Sequence, residues 1–112
     1  MTLFRLDASI FPSQSVSREL ADIIEGEWAT AHPGEHVIRR SIGSNPISAR
    51  AWADAVVGQQ LPPDARTVEQ QAAVELAATL ADELIAADEL LFAIPLYNYG
   101  VSQHIKAWFD VL

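Results

Sequence analysis

The sequence predicts an α/β protein built on an open parallel sheet. Short apolar runs of strand length alternate with longer runs of helical period, and each of the two chemically unusual loops directly follows a strand. Right-handed crossovers then give the strand order 2-1-3.

The elements follow in chain order. Leu3 to Leu6 is a short strand that runs into the turn-rich stretch DASIFPSQSVS. Leu20, Ile23, Ile24 and Trp28 recur at helical spacing, and His32-Pro33-Gly34 closes that helix with a residue that cannot donate and one that tolerates positive φ. His36 to Ile42 is a weaker second strand. From Gly43 to Ala65, Asn45-Pro46 and Leu61-Pro62-Pro63 interrupt the pattern, and only Ala51 to Val57 looks helical. This stretch is expected to be an excursion over the sheet's edge. Thr67 to Gln70 matches a capping box, and Ala73, Ala77, Leu80 and Leu84 give the helix behind it a continuous apolar stripe. Leu90 to Ile94 is uniformly apolar, as a central parallel strand covered on both faces would be. Pro95 ends it, and a last helix starts shortly afterwards.

Composition narrows the function. The chain has 112 residues, half of them hydrophobic, which suits a single domain. Seven basic residues against fifteen acidic ones leave a net charge of -8, which disfavours binding to DNA or RNA. The chain contains no cysteine, so disulfides, thiolate metal sites and cysteine nucleophiles are excluded. No apolar run reaches membrane-spanning length and no signal pattern opens the chain, so a cytoplasmic protein is expected. His32, His36 and His104 lack the spacing of a zinc site, and no metal is expected. Asp82, Glu83, Asp88 and Glu89 read as solubilising charges at a helix end. Trp52 and Trp108 read as core or interface residues.

In an open parallel sheet, ligands bind beyond the carboxyl ends of the strands where the order reverses, here between the first and third strands. The first loop brings Ser9, Ser13, Ser15 and Ser17 to a helix start, whose unpaired N–H groups and dipole suit a phosphate monoester. Serines in this position also serve simply as N-caps. Neither GxxxxGK[ST] nor GxGxxG is present, which leaves a ligand of mononucleotide size. The second loop offers Tyr97, Asn98 and Tyr99 to a flat ring, with Gly100 permitting close backbone approach; equally, YNYG is a good turn.

The segments SIFPSQSVSREL and PLYNYGVSQHIKAWFD resemble the FMN-dependent NADH-azoreductases and NAD(P)H-quinone reductases of the flavodoxin-like fold, and SIGSNPI is similar to a weaker marker of that family. The resemblance implies a flavodoxin-like open parallel sheet and an FMN phosphate held by Ser9, Ser15, Val16 and Ser17. It further implies that Pro95, Leu96, Tyr97, Asn98 and Tyr99 contact the isoalloxazine ring. NADH or NADPH would reduce the flavin, and a quinone or azo compound would then be reduced in the same space. A homodimer with flavin sites at its interface is implied as well, with no catalytic acid or base. The family fold continues past the length seen here, so residues 1-112 are expected to be the N-terminal portion of an FMN-binding domain, or a short form that completes its sheet with a partner chain. The alternative is a cofactor-free flavodoxin-like fragment acting as an interaction or dimerisation module.

Overall fold

The computed structural model describes residues 1–112. The elements run β1 (Thr2–Asp7), α1 (Val16–Ala31), β2 (His36–Ser41), α2 (Ala51–Gln59), a 3-10 turn at Pro63–Ala65, α3 (Val68–Ala86), β3 (Glu89–Ala93) and α4 (Gln103–Val111). The three strands are parallel in the order β2-β1-β3. β1 alone is paired on both sides, with Thr2 opposite His36 and Leu3 opposite Glu89.

The side chains of β1 alternate between two chemically different faces. Phe4, Leu6 and Ala8 point into a cluster of 13 buried residues that also takes in Ala51 and Ala55 of α2, Ala73, Ala77 and Leu80 of α3, and Ile105, Trp108 and Val111 of α4. Trp108 lies at its centre, stacked on Phe4 at 6.1 Å and edge-on to Phe92 at 5.7 Å. It is therefore a core residue, whereas Trp52 is exposed beside Lys106. Thr67 and Gln70 form the expected capping box, and the α3 stripe is buried as its period predicts.

On the opposite face, Leu3, Arg5 and Asp7 meet α1. The buried apolar contribution there is small, consisting of Leu3, Ala21, Trp28 and Ala93. Arg5 is 4% exposed and Asp7 6%, and the two are joined by a bidentate ion pair. Burial opposes the charge on Arg5, but hydrogen bonds to Asp7 and Asp22 more than offset it, so its pKa stands above the ordinary arginine value.

Three expectations need correction. The run from Leu90 to Ile94 is not a central strand covered on both faces: β3 is an edge strand, and Leu90 is 54% exposed. Its apolar pattern shows what must be covered, not that this chain covers it. For the same reason the α1 stripe is only partly buried, with Trp28 inside and Leu20, Ile23 and Ile24 exposed. The stretch from Gly43 to Ala65 carries the helix expected at Ala51 to Val57, as α2, but that helix packs on α3, closely enough at Gly58 that a Cβ there would stand 2.9 Å from Val74, rather than skirting the sheet's edge. Finally, two of the carboxylates read as solubilising are structural. Glu83 pairs bidentately with Arg40, and Asp88 accepts the Thr2 N–H at 2.8 Å.

Two measurements test this packing. Trp108→Ala should cost about 3–5 kcal/mol in denaturant unfolding. Trp108→Phe should cost much less, since the indole N–H it removes has no acceptor. The second test uses pH. Hydrogen bonds from Arg39 hold the Glu25 carboxyl below the usual glutamate value, against the opposing effect of burial. A depressed folded-state pKa gives stability that is present above the unfolded value of about 4.3 and lost as pH falls through the lower folded value. Glu25→Gln should therefore be less stable than the parent near neutral pH, by roughly 1 kcal/mol or less, and the gap should close on acidification below about pH 4.

Candidate functional site

The carboxyl ends of β1 and β3 lie side by side, because Asp7 is in register with Ala93. The loops leaving them meet directly. The Ile10 N–H donates to the Tyr97 hydroxyl at 3.2 Å, across 87 positions of sequence. Between them lies a cavity of about 230 Å³ lined by Ser9, Phe11, Gln14, Ser15, Val16, Ser17, Pro95 and Tyr97. None of the eight is cationic.

The floor of this cavity is the start of α1. Ser15 is the N-cap, and its Oγ accepts the Arg18 N–H at 3.3 Å. Helix geometry leaves the N–H groups of Val16 and Ser17 without intrahelical acceptors, at the positive end of the helix dipole. The hydroxyls of Ser15 and Ser17 are 3.1 Å apart, and Ser9 Oγ accepts the Phe11 N–H at 3.2 Å. Gln14, immediately before the cap, has φ 58, a conformation that costs a non-glycine residue energy and turns the chain sharply into the helix. Donor N–H groups beside hydroxyls, with no competing carboxylate in the lining, suit a small anion such as a phosphate.

The second loop is a tight turn. Tyr97 and Gly100 exchange both backbone hydrogen bonds, at 2.8 and 3.0 Å. Asn98 and Tyr99 between them have φ 51 and 66, the double positive-φ pattern of a type I′ turn. Gly100 is not where the backbone needs freedom: its φ is not positive, and a Cβ there would meet nothing within 4 Å.

Of the nine sequence-predicted site residues, Ser9, Ser15, Val16, Ser17, Pro95 and Tyr97 line the one cavity. Leu96, Asn98 and Tyr99 do not line it; all three project from the turn into solvent, Tyr99 completely. At about 230 Å³ the cavity falls below the roughly 300–1,000 Å³ typical of small-molecule sites, so it suits the phosphate end of a mononucleotide rather than the whole. The larger clefts are elsewhere. One, of about 560 Å³, runs between Trp52 and α4, and another, of about 610 Å³, lies at the start of α3. Neither joins the two loops. No group of three or more His, Cys, Asp or Glu side chains converges to hold a metal.

Sequence reasoning missed Phe11 and Gln14, and it missed Gly43. A Cβ on Gly43 would stand 1.8 Å from the Ser9 carbonyl oxygen. The chain leaving β2 therefore presses on the first loop from behind, and only glycine permits that approach. The one available signal was a glycine between two strand-end hydroxyls in SIGS. Gly43→Ala should destabilise the fold by about 1–3 kcal/mol. In hydrogen exchange, the loss of protection should appear first at the loop after β1.

A family model described as a flavodoxin-like fold matches residues 1–112. The FMN-dependent NADH:quinone oxidoreductase of Parafrankia sp. (strain EAN1pec) is 37% identical over 108 residues, which is 96% of this chain and 51% of that protein. The protein of the same name in Frankia alni is 40% identical over 108 residues, with the same coverage of 96% and 51%. The crystal structure of azoreductase AzrA superposes with a TM-score of 0.78 at 23% identity, covering 100% of this chain and 55% of that one. An azoreductase from Bacillus anthracis str. Sterne gives 0.77 at 20% identity, with 100% and 55% covered. The chain spans about half the length of the curated relatives it matches. With the family model matched over every residue, the chain belongs to the flavodoxin-like family.

Proposed function

We propose that residues 1–112 are the N-terminal portion of an FMN-binding domain, and that the protein is a NAD(P)H-dependent oxidoreductase reducing quinones or azo compounds. The observation that carries this reading is the single cavity shared by the first-loop serines and Tyr97. The names of the relatives supply the chemistry: FMN-dependent NADH:quinone oxidoreductase and azoreductase.

In this reading the Val16 and Ser17 N–H groups and the hydroxyls of Ser9, Ser15 and Ser17 hold the FMN phosphate. Pro95 and Tyr97 wall the path from phosphate to ring, and Leu96, Asn98 and Tyr99 border the ring from the turn above. FMN, when bound, supplies the hydride chemistry, so this chain needs no side-chain nucleophile. Its own residues bind and orient, and the Tyr97 hydroxyl ties the ring loop to the phosphate loop. We assign the working protein to the cytoplasm, in keeping with a cysteine-free chain in which no helix is long and apolar enough to cross a membrane. We also infer a homodimer, for which exposed Trp52, Phe109 and Leu112 offer apolar surface. NADH or NADPH and the quinone or azo acceptor are its small-molecule partners. The acidic balance of the chain argues against nucleic acid. A cofactor-free interaction module is the weaker reading, because it leaves the anion-ready cavity without a use.

Titration by flavin fluorescence tests the site. Ser15→Asp keeps a good N-cap but sets a carboxylate against the phosphate, and should weaken FMN binding at least about a hundredfold. Ser13→Ala, whose side chain is exposed and outside the lining, should bind like the parent. Equal affinity in the Asp variant would move the phosphate site elsewhere.

A further inference from the structure

The sheet face beneath α1 contributes nothing to the 13-residue core, and α1 leaves Leu20, Ile23 and Ile24 exposed. Apolar packing on this face is limited to Leu3, Ala21, Trp28 and Ala93, which leaves a polar anchor room to set where this helix sits along the sheet. Arg5 is placed to do so. Its Nε and one Nη donate to the two Asp7 oxygens at 2.9 and 3.0 Å. The other Nη donates to Asp22 at 2.7 Å and Glu25 at 3.3 Å, and the Arg18 carbonyl accepts the remaining N–H at 3.3 Å. A guanidinium has five N–H donors, and all five are used.

Arg18, Asp22 and Glu25 stand at i, i+4 and i+7, so one side chain on β1 grips three successive turns of α1. The first of those turns is the one whose N–H groups floor the cavity: Arg18 is the residue capped by Ser15, and Val16 and Ser17 immediately precede it. Asp7, the other half of the buried pair, is the last residue of β1, next to the first loop. Axial position matters at this helix end, since a hydrogen bond weakens steeply with distance and angle, and the dipole's effect is confined to the first turn.

We propose that Arg5 is a positioning residue for the phosphate end of the ligand: by fixing α1 against β1 it holds the Val16 and Ser17 N–H groups in register with Ser9 and Tyr97 across the cavity. This deepens the FMN reading above and rests on it. Arg5 does not touch the ligand itself, because every donor it has is committed within the protein.

A purely stabilising Arg5 would, on removal, weaken phosphorylated and unphosphorylated flavins alike. A positioning Arg5 acts on the phosphate alone. The measurement is therefore the ratio of FMN to riboflavin affinity, by flavin fluorescence titration of the full chain below its unfolding temperature. The main variant combines Arg5→Met with Asp7→Leu, which removes both buried charges together and so avoids stranding either. The parent is expected to prefer FMN, and the double variant, folded by circular dichroism, to lose about tenfold or more of that preference while binding riboflavin as before. Asp22→Asn, at a residue 64% exposed in its side chain, removes one of the helix contacts and is expected to lose a smaller part of the preference. It decides the matter if the double variant does not fold. A parental ratio in the folded double variant, or in Asp22→Asn where that variant stands alone, overturns the proposal, as does an equal loss for both flavins. A parent with no preference for FMN removes the FMN reading itself, and this inference with it.

Discussion

A guanidinium with every donor satisfied, buried on the one strand that is paired on both sides, ties α1 to the sheet. Desolvating such a charge costs several kcal/mol, and the attraction of its partners offsets that only when the geometry is good and no donor is left over. Arg5 meets the condition because Asp7, two residues along β1, lies on the same face, and because α1 presents Arg18, Asp22 and Glu25 along one side. The other face of β1 works by a different principle. There Phe4 and Leu6 are fully buried against α3 and α4, and shape and area hold the helices. One strand thus serves as apolar wall on one side and ionic anchor on the other, an arrangement set by the alternation of side chains in LFRLD.

The carboxyl edge of the sheet concentrates the irregular backbone. Gln14, Asn98 and Tyr99 are the non-glycine residues with positive φ, and all three belong to the two loops that meet at the cavity. Such conformations persist only where surrounding structure over-determines them. Here the N-cap at Ser15, the doubly bonded turn from Tyr97 to Gly100, the Ile10 to Tyr97 hydrogen bond and the pressure of Gly43 on Ser9 do so together. The rest of the chain, with regular helices and strands, carries no comparable strain.

Much of this was legible in the sequence, and the gaps have physical causes. Periodicity reports local geometry and the need for burial. It found the α3 stripe, while the capping pattern marked the helix start, the crossover rule the strand order, and the loops' position together with the family resemblance the serines and Tyr97 that line the cavity. Periodicity does not report what does the burying, so Leu90 was expected to be covered and lies exposed, as do Leu20 and Ile24 of the helical stripe on α1. Single charged letters carry little signal, so Arg5 passed as an ordinary member of a short strand and Asp7 as the start of the turn-rich loop, although both belong to β1 and form its buried ion pair. Gly43 was hidden for another reason: a glycine reveals close approach only when the approaching group is known, and the Ser9 carbonyl is 34 residues away in sequence. For Asn98 and Tyr99 the sequence left a turn and ring contacts both open, and the backbone makes the turn.

The chemistry of the cavity explains why placement outweighs charge in this site. No Lys, Arg or His lines it. The nearby guanidinium of Arg5 is fully committed, and Arg18 donates to Ser41 at 3.2 Å. Around Arg5, two arginines (Arg5 and Arg39) face three carboxylates (Asp7, Asp22 and Glu25), so the anchor projects no surplus positive charge toward an anion. The chain as a whole is acidic at -8. A phosphate would be held by helix N–H groups and hydroxyls alone, whose attraction is short in range and strict in direction. A lysine on a flexible stem could follow a ligand through a small displacement. The first turn of a helix cannot, and the surrounding structure must deliver it already in place.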